Sequence, residues 1–164
     1  MKIAIIYTSK YGTTAKMAQN IASQLAIAPQ MQLYDLKNGV CFDLTPFDTI
    51  VLGTPIYAGQ PLKLMKQFCK INTEQLMQKR LLLFVCGMEK DNSKRQQEIK
   101  NAYPEQISQH ADCVCFTGGE FIFEKMNFIE RLIIKKIAKI GKNIVQTDKE
   151  SIQKIVDCLN FKSK

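Results

Sequence analysis

Histidine occurs once, at His110, and no C-x-x-C pair links any of the six cysteines, Cys41, Cys69, Cys86, Cys113, Cys115 and Cys158. A zinc site or a Ser-His-Asp centre is therefore short of parts. No metal ligand and no catalytic side chain is assigned, and the chemistry is expected to be borrowed from a cofactor. Cys86, Cys113 and Cys115 lie inside apolar runs and read as small buried hydrophobes of a reducing cytosol. Long apolar runs are also missing: none approaches the roughly 20 residues that span a bilayer. Ile3 to Tyr7, behind Lys2, is too short for a signal-peptide core. The expectation is a cytoplasmic protein whose only membrane contact is peripheral, at the inner face. Without Pro/Ser/Gly-rich tracts or repeats, residues 1–164 read as a single domain. Acidic residues are outnumbered, 15 against 23 Lys and Arg, and the net charge of +8 calls for something anionic nearby.

What is present is an alternation. Lys2 to Tyr7, Met31 to Leu36, Thr49 to Gly53, the run LLLFVCGM after Arg80, and Cys113 to Thr117 read as strands. Between them, apolar residues recur at helical spacing from Thr13 to before Pro29, from Leu62 to Ile71, and from Lys149 to Leu159, while Asp91 to Ala102 has the pattern of an exposed helix. Strands alternating with helices imply right-handed crossovers and a parallel sheet covered on both faces. The fold class is α/β: a three-layer sandwich around a five-stranded parallel sheet of order 2-1-3-4-5. Its ligand crevice lies at the carboxyl ends of the central strands, so the loops after Tyr7, after Leu52 and after Val85 are the places to search.

After the first strand comes Thr8-Ser9-Lys10-Tyr11-Gly12-Thr13-Thr14, which enters a helix. Hydroxyls and a glycine at a helix N-terminus suit an anion, though the same residues also serve as ordinary helix caps. Neither a P-loop nor a G-x-G-x-x-G fingerprint is spelled here. The pattern Ser9-x-Tyr11-Gly12-x-Thr14 instead resembles the [ST]-x-[ST]-G-x-T phosphate loop of flavodoxins, with Tyr11 where that family usually has a hydroxyl residue. The resemblance implies FMN as cofactor, held at its phosphate by Ser9, Lys10, Tyr11, Gly12, Thr13 and Thr14. It further implies that Pro55, Ile56, Tyr57, Ala58 and Gly59 wrap the ring, Tyr57 stacking on it, and that Gly87, Met88 and Glu89 close its edge. Read without the resemblance, Gly53 to Gln60 is equally a hairpin-like turn carrying a surface tyrosine.

Residues 119–147, before the last helix, exceed what a minimal flavodoxin carries there. From Lys125 to Lys142, Met126, Ile129, Leu132, Ile133, Ile137 and Ile140 fall within an arc of roughly 140°, with Arg131, Lys135, Lys139 and Lys142 opposite. This basic amphipathic helix reads either as a packed surface helix or as a lip on an anionic membrane or partner. The segment is similar to the basic insert of the flavodoxin-type, menaquinone-dependent protoporphyrinogen oxidases of heme biosynthesis. That resemblance implies an FMN oxidoreductase moving electrons from a hydrophobic or anionic donor such as protoporphyrinogen to a quinone, with the helix docking donor or acceptor. The alternative is an FMN electron carrier docking on an acidic redox-protein partner. Lys10, Lys63 and Lys90 would sit near the flavin and ease its two-electron reduction. A nucleic-acid role is not expected, because the basic face lacks interleaved stacking aromatics. A receiver-type signalling role is not expected either, because the strand ends lack the acids it needs. Donor, acceptor and oligomeric state are left open.

Overall fold

Every side chain of β1 (Ile3–Tyr7) is buried. Its residues divide by parity, as a strand covered on both faces requires: Ile3, Ile5 and Tyr7 join one core cluster, Ala4 and Ile6 the other. The computed structural model describes residues 1–25, 31–39, 43–57, 59–121, 128, 131–132 and 144–160. In chain order the elements after β1 begin with α1 (Thr13–Gln24), β2 (Met31–Asp35), a 3-10 turn (Leu36–Asn38), β3 (Thr49–Tyr57), β4 (Gln60–Pro61), α2 (Lys63–Ile71) and α3 (Thr73–Leu76). They continue with β5 (Arg80–Cys86), α4 (Asn92–Ala102), α5 (Glu105–His110), β6 (Cys113–Phe116), β7 (Gly118–Phe121), β8 (Ile144–Thr147) and α6 (Lys149–Asn160).

The main sheet runs β2-β1-β3-β5-β6, and every neighbouring pair in that path is parallel. This is the expected 2-1-3-4-5 order, since β4 is a two-residue strand returning antiparallel along the end of β3. Helices α1 and α6 supply Met17, Ile21, Ile152, Ile155 and Val156 to one core layer. On the opposite face α2, α3 and α5 supply Met65, Phe68, Leu76 and Ile107. Tyr103, just past α4, is buried there and donates its hydroxyl to Leu52 O and Phe84 O at 2.9 and 2.7 Å, tying that connection to the sheet.

Two expectations are corrected. The third strand does not stop at Gly53 but continues to Tyr57, because pairing with β5 runs on through Thr54↔Val85 and Pro55↔Cys86, and Ile56 and Tyr57 then pair with Pro61 and Gln60 of β4. The region read as a helical insert begins and ends in strand: β7 and β8 form an antiparallel ribbon with Gly118↔Thr147 and Phe121↔Ile144 in register. Gly118 and Gly119 cause this. Both are poor helix formers, and a Cβ on Gly118 would sit 1.9 Å from Gln146 O, one on Gly119 3.0 Å from Gly87 O. The ribbon is anchored to the sheet by Gly87 N donating to Gly118 O at 3.0 Å and Asp148 N donating to Thr117 O at 3.0 Å. Of the predicted basic helix, Phe128, Arg131 and Leu132 are described, helical and exposed; Lys135, Lys139 and Lys142 lie outside the described residues. Among the described residues no helix is long and apolar enough to cross a membrane.

Candidate cofactor site

The carboxyl ends of β1, β3 and β5 present the three loops singled out from sequence. Past β1, Thr8 N donates to Gly53 O at 3.0 Å, which holds the first loop against β3. Gly12 N donates to Ser9 Oγ at 3.1 Å, closing a tight turn. Gly12 has φ 98°, a left-handed conformation that glycine adopts without steric cost. Helix α1 follows with no side-chain cap and no acid in its first turn. The hydroxyl residues are thus not caps.

The first intrahelical bond of α1 runs from Lys16 N to Gly12 O at 2.9 Å. The N–H groups of Thr13, Thr14 and Ala15 precede the ladder and have no carbonyl of their own helix to meet. Around them Thr8, Ser9, Thr13 and Thr14 are all buried. Thr8 Oγ1 and Thr14 Oγ1 are shut away from solvent without a hydrogen-bond partner in good geometry, the Thr14 hydroxyl lying beside the Cys86 thiol. Buried polar atoms normally find partners. Hydroxyls and N–H groups converging at a positive helix end are suited to a phosphate-sized anion.

The second loop meets the first. Tyr57 packs edge-on against Tyr11, centroids 5.5 Å apart with rings at 90°, and Lys10 Nζ lies 5.1 and 5.5 Å from the two centroids. Tyr11 and Tyr57 are half-buried and Lys10 is exposed. Pro55 and Ile56 lie in the extended end of β3, and Gly59, with φ 74°, turns the chain into β4. The segment is therefore a hairpin with the tyrosine at its tip; Ala58 lies outside the described residues. At the third loop Gly87 is buried under Phe116, whose ring would be 2.6 Å from a Cβ there. Met88 and Glu89 are half-buried, and the Glu89 carboxylate folds onto its own loop, accepting from Lys90 N at 2.8 Å and Asp91 N at 2.9 Å.

A family model for the flavodoxin domain matches residues 4–148. The chain belongs to the flavodoxin domain family. No curated protein matches it. Among solved structures, this flavodoxin domain is similar to the apo form of an NADH:FMN oxidoreductase, with 15% identity over 100% of this chain and 92% of that one, at a TM-score of 0.59. A WrbA-like flavodoxin protein of Agrobacterium tumefaciens covers 79% of this chain and 87% of its own at 16% identity and a TM-score of 0.52. Oxidised flavodoxin 1 of Bacillus cereus covers 96% and 94% at 16% identity and a TM-score of 0.51. At such identities the likeness is one of fold.

Several residues of this flavodoxin domain's site were not legible as such in the sequence. Cys86, which ends β5, is buried between Thr14 and Thr117; burial pushes its thiol up to about 11, so it stays protonated and unreactive at neutral pH. Lys16 reaches across to the ribbon and pairs with Glu120 at 3.0 Å. Arg95 stacks on the Phe116 ring, 4.9 Å from its centroid, and donates to Glu89 O at 3.0 and 3.3 Å. Arg95, Phe116 and Glu89 border a groove of about 490 Å³ between the third loop and the root of the ribbon, lined also by Gly118, Gln146, Asp148 and Lys149. The only sequence signal for them is spacing: Asp91 caps α4, which puts Arg95 and Glu98 one and two turns further along it.

Glu98 has a carboxylate oxygen buried without a partner, and its pKa is raised by burial first and by Glu89 next, Arg95 opposing. A raised folded-state pKa means the native chain binds the proton more tightly than the unfolded chain. The penalty is absent below the unfolded value and complete above the folded one. Glu98→Gln is therefore expected to melt above the parent at pH 8, the gap closing as pH falls below about 4. Thermal melts of both proteins across that range check it, and a gap independent of pH would refute it.

Proposed function

We propose that this flavodoxin domain binds FMN and acts as an oxidoreductase that moves electrons from a hydrophobic or anionic donor such as protoporphyrinogen to a quinone. One observation carries the cofactor assignment: the open N-terminus of α1, where Thr13, Thr14 and Ala15 N–H groups meet buried hydroxyls of Thr8 and Thr14 with no competing acid. The similar NADH:FMN oxidoreductase is named for the same cofactor. Bound FMN would supply hydride and single-electron transfer. The protein's own part is to hold and shape. Ser9 and Gly12 fix the turn that aims the N–H groups; Tyr11, Tyr57 and Lys10 form an aromatic and cationic wall beside it. Gly87, Met88 and Glu89 form the opposite edge.

The donor and acceptor assignment rests on the excess of basic residues and on the basic segment between β7 and β8, and extends to peripheral contact with the cytoplasmic membrane face. The same charge of +8 favours, as a second reading, an FMN electron carrier for an acidic redox partner. Purified protein is expected to be yellow and to release FMN on denaturation. Anaerobic mixing with protoporphyrinogen and a menaquinone analogue is expected to give turnover in which each porphyrin formed, a six-electron oxidation, is matched by three quinones reduced by two electrons each. A yellow protein without turnover, reduced one electron at a time by an acidic redox protein in a salt-sensitive complex, identifies the carrier. A colourless preparation that takes up no FMN refutes both.

A further inference from the structure

Away from the cofactor site, three sulfurs converge where α6 packs on the edge strand. Cys113 and Cys115 alternate along β6 and so face the same side of the sheet; their Sγ atoms are 3.3 Å apart. Cys158, on α6, packs against the core layer that contains both. It lies one turn beyond Lys154, on the same helical face. Arg80 fixes this end of the helix by donating to Cys158 O at 2.5 Å while pairing with Asp112. Cys113 and Cys115 are each 4% exposed, whereas Cys158 is half-buried and opens to solvent.

The three form a chain. Cys158 lies within hydrogen-bonding reach of Cys113, and Cys113 and Cys115 share a hydrogen bond in which either sulfur can be the donor. Cys115 is the thiol whose ionised form is favoured, by the hydrogen bond from Cys113 first and by the nearby Lys154 charge after it. Burial and then Cys113 hold the Cys158 thiol up. Cys158 is the sulfur of the three that solvent reaches. Among the described residues no three His, Cys, Asp or Glu side chains are arranged to hold a metal ion, which leaves thiol chemistry.

We propose that Cys158 and Cys113 are an oxidation-sensitive thiol pair that a hydroperoxide converts to a disulfide joining α6 to β6, with Cys115 as the proton acceptor. The Cys158 sulfur attacks the peroxide: an S–O bond forms, the O–O bond breaks, and water leaves when the peroxide is hydrogen peroxide. The Cys113 sulfur then attacks the Cys158 sulfur; the S–O bond breaks, and the departing hydroxide takes the remaining thiol proton as water. Two electrons pass from the thiol pair to the peroxide. Cys113 and Cys115 are poorly placed to close on each other. Two residues apart on a strand, their Cα atoms are about 6.7 Å apart, near the upper limit for a disulfide. The β6 backbone is held by β5 at both positions, through Leu82↔Cys113 and Phe84↔Cys115.

The test treats the full chain with hydrogen peroxide, blocks remaining thiols and digests with trypsin without reduction. Mass spectrometry is expected to find residues 101–125 linked to residues 155–162, with fragment ions placing the bond at Cys113 and dithiothreitol abolishing it. Cys158→Ser should lose the linked pair. Cys115→Ser should keep it but form it about tenfold more slowly, its proton acceptor gone. Oxidation of Cys158 without linkage, a bond within residues 101–125, a link through Cys41, or thiols unchanged by peroxide would each overturn the proposal. The mapping on the unsubstituted chain decides this alone if a variant fails to fold.

Discussion

Thr13→Asp leaves the chain folded and weakens its hold on FMN by about 100-fold or more. Thr13 is the first residue of α1, and that first turn contains no acid. A carboxylate there meets the helix dipole and the free N–H groups favourably, worth about 0.3 to 1 kcal/mol to the apoprotein. Aspartate is close to threonine in size, so the buried position accepts it and the N–H groups satisfy its charge. The same carboxylate would compete with the phosphate for those groups. One pair of like charges about 5 Å apart at an effective dielectric of about 20 costs about 3 kcal/mol, which is the stated factor in affinity. The two effects have opposite sign, so a thermal melt of the apoprotein and an FMN titration separate them. Unchanged affinity would move the phosphate away from α1; a collapsed apoprotein melt would show that the loop, not the charge, had failed.

Gly118→Ala is expected to destabilise the fold by about 3 kcal/mol or more, and Gly59→Ala by only about 1. The pair is informative because the backbone strain is matched: φ is +76° at Gly118 and +74° at Gly59. What differs is the surroundings. A Cβ at Gly59 meets nothing within 4 Å, whereas at Gly118 it would lie 1.9 Å from the carbonyl oxygen of Gln146 and 3.0 Å from Asp148 N. Those are backbone atoms of β8 and of the turn into α6, so no rotamer change relieves the clash. In a chain of this length the difference of about 2 kcal/mol corresponds to about 4 to 8 °C in melting temperature. Equal losses in the two variants would mean that the ribbon does not lie against its own root.

Much of this was legible in the sequence because it depended on local patterns. The apolar runs at residues 3–7 and 81–86 are buried on both faces, so no charged residue interrupts them, and the facing helices keep their period. Ser9, Gly12, Thr13 and Thr14 lie within six residues and could be read together, although that no hydroxyl caps α1 required the geometry of Gly12. Illegible features are those made by contact between distant segments. The β7–β8 ribbon pairs Phe121 with Ile144 across an intervening stretch whose own periodicity is helical. The wall of Lys10, Tyr11 and Tyr57 joins two loops, and the sequence showed Tyr11 only as a departure from a motif. The sulfur chain joins Cys113 to Cys158; read singly, each of those cysteines is one more small apolar residue.

The pairing of Phe121 with Ile144 places the two ends of residues 122–143 side by side on a strand ladder. Residues 121 and 144, which flank that stretch, are thus neighbours across one rung of the ladder. Loop-closure entropy rises by only about 0.6 kcal/mol for each doubling of length. The ribbon is therefore a socket: the length of chain joining its two strands can vary at little entropic cost while the ladder from Gly118↔Thr147 to Phe121↔Ile144 stays the same.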